Sequence, residues 1–148
     1  MKLAWLSPNT VEWEQSIPLI SNVPWQAGSH LARQMQHKHW LDWEGVLSLW
    51  DGETLVGFCA LLQEDLLKNS DLTPFIGVVF VAEKYRGHRF SETLVYEAEQ
   101  RARSYDFAQA YIVTQHVGLY EKYGYQKIAE SEDIFNRPVN VYRKNLSS

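Results

Sequence analysis

Residues 74 to 105 constrain the fold more than any other stretch of this chain. Pro74-Phe75-Ile76-Gly77-Val78-Val79-Phe80-Val81 is a continuous apolar run, the mark of a strand buried on both faces. A charged turn with one glycine follows, from Ala82 to Phe90. Ser91 is the expected N-cap of the next helix, its side-chain oxygen satisfying an orphan amide of the first turn. Leu94, Val95, Ala98, Ala102 and Tyr105 then recur at helical spacing, with Glu92, Glu97, Glu99, Gln100, Arg101 and Arg103 mostly on the other side. A buried strand that enters a helix through such a turn points several backbone N–H groups at one spot. The helix N-terminus makes that spot an anion site. Arg86 and Arg89 add positive charge to it, and the expected ligand is a phosphate.

The remaining segments fit a mixed α/β class with hairpins. Lys2 to Leu6 reads as a short strand. Thr10 to Ile20 reads as a helix capped by Thr10 and ended by Pro18. Ser29 is the expected cap of a helix running through Leu31 and Met35 to about His39. Val46 to Trp50 and Thr54 to Leu62 are expected to pair through Asp51-Gly52, a type I′ hairpin signal. Leu66 to Thr73, with Asn69-Ser70-Asp71, reads as a polar loop. Phe107 to Thr114 is a strand, and Val117 to Tyr123 a short helix closed by Gly124. Tyr125 to Ser131 and Ile134 to Arg143 form a final strand pair. No repeat or linker divides the chain, so residues 1–148 are expected to be one domain.

Composition excludes several function classes. A net charge of −4 argues against nucleic acid as the main partner and suits an amine acceptor. The single cysteine, Cys59, permits no internal disulfide and lies in an apolar strand, as a buried structural thiol does. His37 and His39 are two apart and share no helix face, so no metal is expected. The N-terminus shows no signal-peptide pattern, and no stretch approaches the length of a membrane span. A cytoplasmic location with no membrane partner is the expectation, and a homodimer is left open.

Val81-x-x-x-Tyr85-Arg86-Gly87 followed by a helix resembles the acyl-CoA loop of the GNAT superfamily of N-acetyltransferases, usually written Arg/Gln-x-x-Gly-x-Gly/Ala. Its six positions are Arg86, Gly87, His88, Arg89, Phe90 and Ser91; the later small positions are filled by Arg89 and Ser91. Gly118-Leu119-Tyr120-Glu121-Lys122-Tyr123-Gly124-Tyr125 is similar to the Leu-Tyr-Glu-Lys-x-Gly-Phe stretch near the end of these enzymes. The two matches stand in the right order, separated by a helix and a strand. They span roughly the last two thirds of the chain; the first 40 residues or so align with nothing in the family. The resemblance implies a GNAT-like mixed sheet in which the strands at 75–81 and 107–114 are parallel neighbours that splay apart, flanked by helices. Acetyl-CoA would lie in the gap, and an acetyl group would pass to a small-molecule or peptide amine in a ternary complex.

Acetyl transfer from a thioester to an amine requires a held cofactor, a polarised carbonyl, a deprotonated amine and a protonated thiolate. The resemblance assigns the cofactor to Arg86, Gly87, His88, Arg89, Phe90 and Ser91 and to the backbone of Val79, Phe80 and Val81. The pantetheine arm would pair with that strand as an added strand does. Gly77 marks either a bulge or room for a neighbour. Arg89 either keeps φ negative or carries strain, and its guanidinium faces either phosphate or solvent. A backbone N–H polarises the carbonyl, with Val79 the best estimate. No ionisable side chain lies between Thr73 and Ala82 to take the amine's proton. His116, just past a strand end, is the candidate base, or else it caps a helix or holds cofactor amides. Glu64 and Asp65 are alternatives that would bind a cationic amine, unless they form a solvated strand end. Tyr120 protonates the thiolate, or is a core aromatic beside Tyr123 and Tyr125.

All six tryptophans lie in the first 50 residues. Trp25 and Trp40 flank the early helix and either wall the acceptor site, where an aromatic face holds a cation, or simply pack. Three readings therefore stand: an acetyl-CoA-dependent N-acetyltransferase, a catalytically degenerate CoA-binding relative, and a Trp-rich protein-interaction domain.

Overall fold

The computed structural model describes residues 1–67 and 70–147. Asn69, part of the polar loop expected at 66–73, lies outside the described residues. One seven-stranded sheet forms the middle layer, in the order β1-β2-β3-β4-β5-β7-β6. The strands are β1 (Lys2–Leu6), β2 (Gly45–Asp51), β3 (Thr54–Leu62), β4 (Phe75–Val81), β5 (Gln109–Thr114), β6 (Gln126–Glu132) and β7 (Pro138–Asn145). Helices α1 (Val11–Ser21) and α2 (Gln26–His37) cover one face, and α3 (Phe90–Ser104) covers the other.

Period-two alternation in β3 separates the two cores. Phe58, Ala60 and Leu62 pack with Trp13, Ile17, Ile20, Leu31 and Met35 of α1 and α2. Cys59 and Leu61 pack with Leu94, Val95 and Ala98 of α3. Among the described residues, no helix is long and apolar enough to cross a membrane.

β4 and β5 carry the feature that shapes the site. They run parallel, with Phe75 and Tyr111 as their one registered pair. The Tyr111 amide donates to the Pro74 carbonyl at 3.0 Å. Beyond that point each strand runs on without a registered partner in the other, to Val81 and to Thr114. The expected splayed parallel pair is therefore present.

On its other side β4 carries a bulge. Ala60 pairs with Gly77 and Phe58 with Phe80, so Val78 and Val79 together oppose Cys59. Val78 takes φ +53°, a conformation that a β-branched residue rarely adopts. Gly77 satisfies both expectations raised for it. It adjoins the bulge, and a Cβ there would collide with the Asp65 carboxylate.

Several local expectations are corrected. α1 is capped by Thr10, whose hydroxyl accepts from the Trp13 amide at 3.2 Å, but Pro18 lies inside it. Proline there removes one N–H, and burial of Ile17 and Ile20 carries the helix to Ser21. Ser29 lies within α2 rather than capping it, and its hydroxyl donates to the Ser21 carbonyl at 3.3 Å. Asp51 and Thr54 pair, which leaves Gly52 and Glu53 as the hairpin loop. Only Gly52 has positive φ, so type I′ is excluded and the glycine-first pattern of type II′ applies. The short helix begins at Tyr120 and is a 3-10 turn, ended by Gly124 at φ +95°. β7 begins at Pro138, because Asp133 closes a tight turn by accepting from the Phe135 and Arg137 amides at 2.9 Å each.

Candidate active site

A cavity of about 440 Å³ opens where β4 and β5 part. Ile76 to Val79 line it from β4, and Ile112 to Thr114 from β5. Ser91 bounds it at the start of α3, Trp25, His30 and Arg33 at α2, and Phe135 and Arg137 at the β6–β7 turn. Tyr120, His116 and Asp65 also face it. The topology alone produces this space: two parallel strands that separate after a single pair leave a slot with backbone on both sides.

The structure divides the residues expected to hold a cofactor into three groups. Val79 and Ser91 line the cavity. Phe80 does not line the cavity; its ring stacks on Phe58 at 5.2 Å and on Trp25 at 5.9 Å. Val81 offers a carbonyl that already accepts from the Arg86 Nε at 3.0 Å. Arg86, Gly87, His88 and Arg89 form an exposed loop before α3, with Phe90 partly covered at its start. Gly87 has φ +87° and open space around its missing side chain.

Ser91 is not the N-cap; Arg89 is, in the left-handed conformation at φ +61°. Arg89 therefore carries the strain foreseen as one of its two options. Among the described residues no side chain caps this helix start. The first N–H groups of α3 consequently keep no intrahelical acceptor. The Ser91 hydroxyl instead hydrogen-bonds the Tyr123 hydroxyl at 2.8 Å, tying α3 to the turn that carries Tyr120.

Tyr120 is buried, with its ring edge-on to Tyr123 and Tyr125. It is thus both a core aromatic and a cavity residue. Burial, and then the nearby Tyr123, Cys59 and Asp65, push its phenol well above the ordinary tyrosine range. It therefore stays protonated and available as a donor. Cys59 is fully buried, its thiol directed at the Leu94 carbonyl and held protonated by burial.

His116 lies at the cavity rim, exposed; its amide donates to the Thr114 hydroxyl at 3.0 Å. Asp65 is placed more deeply. Its carboxylate rests over Gly77, in space that any other residue there would fill. It accepts from the Leu66 amide at 2.8 Å. Burial pushes its carboxyl up to about 6, and the Leu66 hydrogen bond offsets part of that effect. Glu64 lies outside this cavity. The loop before β4 thus brings an ionisable side chain over that strand, across a glycine.

Sequence reasoning missed the residues that α2 and the β6–β7 turn bring in. His30 and Arg33 share one face of α2 at a spacing of three. Burial and the Arg33 charge lower the pKa of His30. Arg137 Nε donates to Asp133 at 2.8 Å. Burial alone would raise the Asp133 carboxyl, but hydrogen bonds from Arg137 and Phe135 and the guanidinium charge bring it below the usual range. Among the described residues, no group of three or more His, Cys, Asp or Glu could hold a metal ion.

The sequence profile of the acetyltransferase (GNAT) family matches residues 9–125. The match extends into the N-terminal segment where no motif was legible. No curated protein matches the chain in sequence. Solved structures share the fold. An aminoglycoside 6′-N-acetyltransferase complexed with coenzyme A superposes with a TM-score of 0.74 at 14% identity, covering 100% of this chain and 98% of that one. The aminoglycoside 6′-N-acetyltransferase from Enterococcus faecium gives 0.73 at 14%, with 100% and 98% covered. An acetyltransferase from Streptococcus agalactiae 2603 gives 0.68 at 21%, with 97% of each chain covered.

Proposed function

The chain belongs to the acetyltransferase (GNAT) family, and from that premise we propose that it transfers an acetyl group from acetyl-CoA to a primary amine by direct attack in a ternary complex. The observation that carries this reading is the single registered pair between β4 and β5, with the cavity and the uncapped start of α3 beside it.

In this reading the pyrophosphate sits at the α3 N-terminus, where free N–H groups and the helix dipole favour it. Arg86 and Arg89 add charge, and His88 and Phe90 shape the loop between them. Gly87 lets the backbone approach. The pantetheine arm runs along Val79, Phe80 and Val81 in the gap. Val79 belongs to the bulge and has no registered partner in β3, which suits its amide to polarise the thioester carbonyl.

The amine nitrogen attacks the carbonyl carbon, the C–S bond breaks, and the amine's proton leaves to a base. Asp65 suits that role better than His116, because it lies over β4 and is partly desolvated. As a carboxylate it also attracts the incoming ammonium. Tyr120 donates a hydrogen bond to the departing thiolate. Its raised pKa makes full proton transfer less favourable, so stabilisation of developing charge is its main contribution.

Thiol release from acetyl-CoA over a panel of amines, with the product weighed by mass spectrometry, tests this function. The expected result is amine-dependent release with one acetyl group added to the amine. A melting temperature raised by acetyl-CoA with no release from any amine would mean a CoA-binding protein without turnover. Neither effect would leave an interaction domain.

A further inference from the structure

We propose that the acceptor is a monoamine carrying an anionic group, of the amino-carboxylate kind, with Arg33 of α2 receiving the anion and Asp65 the amine. This rests on the transferase reading above.

The charged and imidazole side chains that line the cavity come from four places. Asp65 comes from the β3–β4 loop, His30 and Arg33 from α2, His116 from the end of β5, and Asp133 and Arg137 from the β6–β7 turn. Asp133 is consumed by the Arg137 guanidinium and by two backbone amides, so that pair presents no net charge. His30 is biased toward the neutral form by burial and by Arg33. His116 stands exposed at the rim, and among the described residues the groups left without an ion pair are one carboxylate, Asp65, and one exposed guanidinium, Arg33. Arg33 has no ion pair or hydrogen bond with any described residue. A polycationic acceptor would find a single acid here and would meet Arg33 as a like charge. An acceptor with one amine and one carboxylate complements both groups. Trp25 and Phe135, respectively 40% and 51% exposed, flank the opening and suit an apolar or aromatic remainder.

The test compares L-phenylalanine, L-phenylalaninamide, phenethylamine and kanamycin as acceptors, with wild type and Arg33→Gln. In wild type, kcat/KM for L-phenylalanine should exceed that for the amide and for phenethylamine by at least about tenfold, the lower end for a charge-assisted hydrogen bond. Kanamycin should be the poorest acceptor. Arg33→Gln should abolish the preference for the carboxylate, lowering kcat/KM for L-phenylalanine at least about tenfold and that for phenethylamine by much less. A merely structural role would lower all the rates together, which would overturn the assignment. Equal use of acid, amide and amine, or kanamycin as the best acceptor, would overturn the inference while leaving the transferase reading intact. Failure of every acceptor, with acetyl-CoA still bound, would overturn the transferase reading and this inference with it.

Discussion

At the scale of single residues, two side chains separate chemistry from packing. Asp65 ionises near 3.9 when unfolded and at about 6 when folded. Between those values the folded state holds more proton, so stability falls as pH rises through the window and remains lower above it. Asp65→Asn removes that dependence. The variant should melt higher than wild type above pH 6, with the difference vanishing below pH 4. Its kcat should fall about 10²-fold or more, and the acidic limb near pH 6 should disappear. An unchanged limb would return the role to His116. Tyr120→Phe keeps the ring among Tyr123 and Tyr125 and removes only the hydroxyl. Its rate should fall roughly 10²-fold, with acetyl-CoA affinity and melting temperature nearly unchanged. Normal turnover would make Tyr120 a core aromatic alone.

At the scale of elements, α2, packed on α1, lines the cavity on the side where the account puts the acceptor. A Cβ on Gly28 would lie 2.7 Å from the Ile20 carbonyl oxygen, which is backbone and cannot swing aside. Gly28→Ala should therefore push α2 away from α1 and destabilise the protein by about 1–3 kcal/mol. It should raise the acceptor's KM more than that of acetyl-CoA, because His30 and Arg33 ride on α2 while the cofactor loop does not. Equal effects on both constants would separate α2 from the acceptor. The elements themselves were largely legible. The apolar run, the glycine turn and the spacing of Leu94, Val95, Ala98 and Ala102 located β4 and α3, because one periodicity dominated each. Caps and breakers were less legible. Pro18, Ser29 and Ser91 carry strong local signals that burial and long-range contact override. Within the site, the motif marked Arg86 to Ser91 and Tyr120. Asp65 reaches the cavity only because a glycine and a bulge lie beneath it, and Arg33 only because α2 crosses there. Neither fact is written at the residue itself.

At the scale of the whole molecule, a chain of net charge −4 gathers Arg86 and Arg89 at one helix start. In the proposed account the sheet supplies the slot, α3 the anion site, and α2 the acceptor wall, where Trp25 lines the cavity while Trp40 packs on Trp13. These parts converge because β4 and β5 share one registered pair and then separate. The central claim is that the resulting gap and the loop before α3 bind acetyl-CoA. Calorimetric titration of acetyl-CoA into wild type and Gly87→Asp tests it most directly. The substitution adds a negative charge and a side chain at φ +87°, on an exposed loop with open space around it. The account predicts one-to-one binding to wild type and affinity at least about tenfold weaker in the variant, as expected for placing a charge against a phosphate at a helix terminus. Absence of binding to wild type, or equal affinity in the two proteins, would contradict it.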